Sequence, residues 1–365
     1  MAANPLLGLI FHWIGGLAAA SFYIPYRFVK RWSWETYWLA GGVFSWIVAP
    51  SLFALLLVPG ALHAILSAPI QSIGLAYLFG AMWGLGGLTF GLTMRYLGIA
   101  LGMAVALGYC AAFGTVMPPL VHGTLAPLFQ TTSGHCIIGG VVICLVGIGV
   151  SGLAGMSKEH ELSAEEKQAV TTEFDFGKGM MVATFSGIMS SCFAYGLDAG
   201  KPIADLAKQS LVAANINLPI QNLPVLIVVL LGGFTTNFIW CVILNIRNKS
   251  AREYVGGVAP AHIDASTEPV SLPRNYLFCA IAGVTWYLQF FFYSMGQVKM
   301  GSYSYSSWTL HMASIIIFST LWGIALHEWK GTSKRTHLSI ALGLAILIGS
   351  TVVIGYGNYL AIPHP

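Results

Sequence analysis

Trp83-Gly84-Leu85-Gly86-Gly87-Leu88-Thr89-Phe90-Gly91-Leu92-Thr93-Met94-Arg95-Tyr96-Leu97-Gly98 decides the architecture, because it returns in degraded form as Trp286 to Gly301. Trp83, Leu85 and Gly98 match Trp286, Leu288 and Gly301 at one constant offset, with Arg95 and Lys299 near the same end. Two further alignments flank it. Gly8, Gly16 and Phe22 fall on Gly179, Gly187 and Phe193, while His135, Gly147 and Gly155 fall on His337, Gly349 and Gly357. Each set alone is a weak coincidence among common residues, but three in the correct order read as two copies of one unit. Longer loops in the second copy account for the change of offset.

Composition says what the units are. Charged residues make up 8% of the chain, against roughly 25% in soluble domains. A bilayer-spanning helix needs about 20 mainly apolar residues, and ten such segments are expected: 5–26, 37–58, 72–94, 97–120, 136–156, 179–200, 219–245, 276–298, 303–326 and 338–360. The fold class is therefore an all-α polytopic membrane protein. No cleavable signal is expected, since the first apolar run begins at Pro5 without a basic region before it.

The basic residues set the orientation. Arg27, Lys30, Arg31, Arg95, Lys158, Lys167, Lys178, Arg247, Lys249, Arg252, Arg274, Lys330, Lys334 and Arg335 follow odd-numbered spans, leaving Lys201, Lys208 and Lys299 on the other face. The positive-inside rule makes the first face cytoplasmic and both termini periplasmic. Five spans per copy is an odd number, so the second copy enters the membrane inverted. The expected organisation is a first five-helix repeat at 1–156, a cytoplasmic hinge at 157–178 and a second repeat at 179–365, with a site between them as in many transporters.

Local signals refine this picture. Ser33 is placed to cap the second span, Glu35 lies in its first turn, and Trp32, Trp34 and Trp38 suggest an interfacial anchor. Gly80, Gly84, Gly87 and Gly91 predict close helix contacts. Ser163 with Glu166 predicts a short capped helix in the hinge, and Pro202 opens one whose Ile203, Leu206, Ala207 and Leu211 share a face. Arg247 to Asn275, with three prolines, reads as a loop.

The chemistry is not that of a hydrolase or a metalloenzyme. His160-Glu161 lacks the second His of HExxH, no GxSxG occurs, and the six cysteines have no ligand spacing. Gly147, Gly149 and Gly152 satisfy GxGxxG, but inside a membrane helix with no strand before them. No cofactor, metal or nucleic-acid site is expected, and a polytopic enzyme or sensor is disfavoured. Intramembrane polar residues become the candidates. Trp83, Tyr195, Trp286, Gln289, Tyr293, Tyr305 and Trp308 offer hydrogen bonds and ring faces suited to a neutral polyhydroxylated solute. Asp198, His311 and His12 are the candidates for carrying a proton, although Asp198 could instead pair with Lys201 one turn later.

Several stretches resemble the bacterial L-rhamnose–proton symporter family, within the drug/metabolite transporter superfamily. They are Phe22-Tyr23, Lys30-Arg31-Trp32-Ser33-Trp34-Glu35-Thr36, Phe79-Gly80-Ala81-Met82-Trp83-Gly84, Gly91 to Gly98, Trp286-Tyr287-Leu288-Gln289-Phe290-Phe291-Phe292-Tyr293 and Leu310-His311-Met312. The resemblance implies ten spans in inverted halves, an inner-membrane location, and uptake of a deoxyhexose with protons by alternating access. A carrier or exporter of another small metabolite is the alternative within the superfamily. The chain departs from the family pattern where it has Ser304 for Asp and Asp198 for Asn, which implies a relocated carboxylate or a different cargo.

Overall fold

The computed structural model describes residues 3–97, 99–161, 175–260, 271–327 and 329–361. Among the described residues ten helices are long and apolar enough to cross a membrane: α1 (Pro5–Tyr26), α2 (Trp34–Leu57), α3 (Ile70–Leu97), α4 (Gly102–Val121), α5 (Thr132–Lys158), α6 (Phe176–Ala199), α7 (Leu223–Asn248), α8 (Leu272–Lys299), α9 (Ser304–Ala325) and α10 (Lys334–Leu360). All ten expected spans correspond to helices, with shifted ends. The chain is thus an all-helical, multi-pass membrane protein.

The helix starts follow from the sequence. The Asn4 carboxamide oxygen accepts from Leu7 N at 3.0 Å, with Pro5 as the first helical residue, where its missing N–H costs nothing. Asp175 caps α6 through Lys178 N at 3.0 Å. At the start of α2, however, Ser33 makes no cap bond with its side chain; the hydroxyl donates instead to Glu253 Oε1 at 3.0 Å. The Arg247–Asn275 stretch is not simply a loop. It holds a 3₁₀ turn at Ala251–Val255, and α8 already begins at Leu272, with Pro273 tolerated in its first turn. The Ser163 and Glu166 cap lies outside the described residues.

Small residues bring the helices together, as expected where lipid offers no hydrophobic drive between them. A Cβ on Gly80 would collide with the Val229 carbonyl of α7, and one on Gly84 with Thr236. Gly87 and Gly91 face open space, so only half of that glycine row serves packing.

Helix neighbours follow a regular scheme. α1 packs on α8 and α9 while α6 packs on α3 and α4; α2 packs on α7 and α8 while α7 packs on α2 and α3; α5 packs on α10. Exchanging the first five helices for the second five maps this scheme onto itself. Two of the aligned glycine pairs occupy matching places: Gly8 abuts α8 and Gly179 abuts α3, while Gly16 abuts α9 and Gly187 abuts α4. The third set does not match in this way, since Gly147 meets Leu347 whereas Gly349 meets nothing.

Between α6 and α7 a further helix, Lys201–Ala213, buries Ile203, Ala204, Ala207 and Leu211. Its apolar face is the expected one, and it packs on α7 and on the short helix Ala61–Leu66.

Candidate functional site

The centre of the molecule is a chain of aromatic rings that begins in a cleft. α2 supplies the cleft's key wall through a π-helical turn at Val43–Val48, where Ala49 N bonds Phe44 O. Pro50 explains this turn: it has no N–H for the Trp46 carbonyl, and its ring crowds that carbonyl, so the helix widens. Gly41 and Gly42 complete the device. A Cβ on Gly41 would collide with the Tyr26 hydroxyl, and one on Gly42 with the Trp46 ring.

The resulting cleft is lined by Phe22, Tyr26, Trp38, Gly42, Ser45, Trp46 and Trp286. In this form it is closed down to about 10 Å³, room for little more than one water. Its walls touch: Trp46 and Trp286 meet edge to face at 5.3 Å. Trp46 Nε1–H has no acceptor among the described residues, whereas Trp38 Nε1–H donates to Asn237 Oδ1 at 3.1 Å.

From Trp286 the rings continue inward. Trp286 lies 5.6 Å from Trp83 and 4.8 Å from Phe290, and Phe290 lies 4.3 Å from Phe193. Trp83 and Trp286, the tryptophans that align the two copies, therefore contact each other across the middle of the protein. Phe193 stacks on Trp308 at 5.5 Å and approaches Tyr293 at 6.0 Å. Tyr293 stands 5.5 Å from His12 and 5.1 Å from His311. Both histidines are fully buried, and none of their ring nitrogens has a partner among the described residues.

Trp83, Trp286, Tyr293, Trp308, His12 and His311 thus belong to one cluster, and Gln289 is buried on α8 between Trp286 and Tyr293. Three other candidates lie elsewhere or are occupied. Tyr195 donates to Phe113 O at 2.9 Å and so ties α6 to α4. Tyr305 lies in the 3₁₀ turn Gly301–Ser306 leading into α9. Asp198 sits exposed at the end of α6, where it pairs with His122 at 2.7 Å. The Asp198 carboxylate has therefore not moved into the cluster. Trp308 is partly committed too, since its Nε1–H donates to Cys110 O at 3.0 Å.

Sequence reasoning missed Tyr26, Ser45 and Trp46 and placed Trp38 at the membrane interface. Trp38 is drawn inward by Asn237 and by its contact with Trp46 at 5.9 Å. Gly41-Gly42 upstream and Pro50 downstream of Trp46 are the signal that could have found the cleft.

Below the cleft, on the rim rich in basic residues, the α1–α2 and α7–α8 connections are knitted together. Glu253 accepts from Ser33 N at 2.8 Å, and Lys30 and Asn275 exchange hydrogen bonds of 3.1 and 2.9 Å. Glu35, buried in the first turn of α2, accepts from Ser250 Oγ at 2.6 Å and Asn248 Nδ2 at 3.0 Å. It is an acid inside a span that the expected boundary at residue 37 had left outside.

Comparison with known proteins covers the whole of this architecture. The profile of the L-rhamnose-proton symport protein family matches residues 1–359. The L-rhamnose-proton symporter of Yersinia pestis (strain Pestoides F) is 35% identical over 355 residues, covering 96% of this chain and 98% of its own length. That of Shigella dysenteriae serotype 1 (strain Sd197) is 34% identical over 352 residues, covering 96% and 97%. With ten spans, an aromatic cleft and similarity along nearly its full length, the chain belongs to the L-rhamnose-proton symport protein family, a family of transporters and not of enzymes.

Proposed function

We propose that this protein imports a neutral sugar, L-rhamnose or a related deoxyhexose, together with protons, by alternating access between two inverted five-helix halves of the drug/metabolite transporter type. The observation that carries the reading is the family match over residues 1–359. The self-mapping scheme of helix neighbours supports the inverted halves.

In this reading the sugar sits in the cleft. Trp286, Trp38 and Trp46 present ring faces to its C–H surface, while the Tyr26 hydroxyl, the Trp46 indole N–H and the Gln289 amide exchange hydrogen bonds with its hydroxyls. Because Trp46 and Trp286 touch, the rings must part to admit it. The seal of Ser33, Glu253, Lys30 and Asn275 closes the side toward the basic rim, and release on that side requires it to open. The basic-residue bias places that rim in the cytoplasm and both termini in the periplasm of a bacterial inner membrane.

Uptake of labelled L-rhamnose into proteoliposomes with an imposed pH gradient tests this. Accumulation that a protonophore abolishes is expected; gradient-independent equilibration would defeat coupling, and no uptake would defeat the substrate. In intact cells, a single cysteine placed near Pro363 should react with an impermeant thiol reagent, and one at Ser157 should not.

A further inference from the structure

Two histidines from different helices flank Tyr293 at the junction of α1, α8 and α9, and neither is used to hold the fold. His12 and His311 are fully buried, and their four ring nitrogens have no hydrogen-bond partner among the described residues. Buried polar groups are nearly always paired, and intramembrane exceptions mark functional sites. Close backbone packing has been arranged around both rings. A Cβ on Gly296 would press on the His12 ring at 2.8 Å, and one on Gly15 would lie 3.5 Å from His311 Cε1.

We propose that His12 and His311 form one shared site that takes up a single proton each time the sugar binds. This rests on the symport reading and specifies its proton. The count follows from electrostatics: two imidazolium ions in one low-dielectric junction repel strongly, so the second proton is excluded. The first is supported by Tyr293, whose ring centroid lies 5.5 Å from the His12 ring and 5.1 Å from that of His311, within the roughly 6 Å of a cation–π contact. Among the described residues no carboxylate is recorded against either ring. The titratable groups from neighbouring elements are Tyr293 itself, Lys299 further along α8 beside Gly8, and Cys110 of α4 behind Trp308; Asp198 is away at the rim. Coupling to the sugar runs through α8, which carries Tyr293, Gln289 and Trp286 within about two turns.

Calorimetric titration of L-rhamnose into the detergent-solubilised protein from pH 5 to pH 9 tests the site. By linkage, the slope of log Kd against pH counts the protons taken up with the sugar, as it does for any equilibrium that binds protons. The parent protein should lose affinity about tenfold per pH unit above its midpoint, a slope of one. The H12Q/H311Q double variant should give a flat profile. A slope of one retained in the double variant, or a slope of two in the parent, overturns the shared site. Should the double variant fail to bind, H12Q and H311Q decide separately: the midpoint must move in both, and an unmoved midpoint in either overturns the proposal. A parent protein that binds no L-rhamnose at any pH defeats the symport reading itself.

Discussion

The junction of α1 with α8 and α9 and the junction of α6 with α3 and α4 are built alike and filled differently. Each is entered through a matched glycine pair, Gly8 and Gly16 in the first, Gly179 and Gly187 in the second. In the second, the polar side chains are satisfied by backbone: Ser186 Oγ donates to Gly86 O at 2.9 Å, Ser191 Oγ to Ile188 O at 2.6 Å and the Tyr195 hydroxyl to Phe113 O at 2.9 Å. In the first, His12 and His311 are left without partners. The two junctions thus share a scaffold of matched glycines, and only the first keeps polar groups that the packing does not consume.

The largest expected effects test the shared scaffold. Gly16→Ala would drive a methyl group into Ser314, and Gly187→Ala into Tyr109 and the Ala106 carbonyl. Overpacking of this kind costs about 1–3 kcal/mol. Thermal unfolding in detergent should show both variants destabilised by similar amounts, with Gly87→Ala unchanged. Destabilisation at only one of the matched glycines would break the equivalence of the junctions.

A second pair of substitutions sharpens the contrast in content. Ser186→Ala removes a buried hydrogen bond within the scaffold and should cost about 0.5–1.5 kcal/mol of stability with sugar affinity retained. Gln289→Ala should do the reverse, weakening L-rhamnose binding by roughly 2- to 13-fold with the protein still folded, the equivalent of one hydrogen bond to a neutral ligand group. Calorimetry and melting curves on both variants would show whether the two roles separate; unchanged affinity in Gln289→Ala would remove that amide from the site.

How much of this was legible in the sequence follows from the physics of each feature. The spans were legible because hydrophobic length is a one-dimensional property, and Trp83 and Trp286 stood out because they head two similar stretches of sequence. His12, His311, Tyr293 and Trp308 could be singled out by their polarity, yet sequence could not show that Trp308 is tied to Cys110 or Tyr195 to Phe113, since these partners are distant carbonyls. The pairing of Asp198 was not legible, because its partner His122 lies in the turn after α4, far away in sequence. The cleft was hidden for a different reason. Trp38, near its span's start, reads as an interfacial anchor, and the widened turn at Val43–Val48 that carries Trp46 leaves no mark in hydrophobic length.

The smallest effect is expected where helices α1–α5 are held to helices α6–α10 at the basic rim, and it compares the α5–α10 pair with the α2–α7 pair. Glu161 accepts from Ser333 N at 2.6 Å, Ser333 Oγ at 2.7 Å and Thr336 Oγ1 at 2.7 Å, so it grips the start of α10 as Glu253 grips the start of α2. Glu253 is fully buried, but Glu161 is open to water. The hydrogen bonds from Ser333 and then Thr336 hold the Glu161 carboxyl down at about 2, against about 4.3 for an unfolded glutamate. A lowered value in the folded state means that the ionised grip contributes fully above the unfolded value and is lost as pH falls through about 2. Solvent screening keeps that contribution small. The melting temperature of the parent in detergent should exceed that of Glu161→Gln slightly at pH 6, and the gap should close between about pH 4 and pH 2. A gap that persists unchanged at the lowest pH would show that the charge of Glu161 does not hold α10, leaving the α5–α10 contact to its packing while the α2–α7 contact keeps its buried carboxylate.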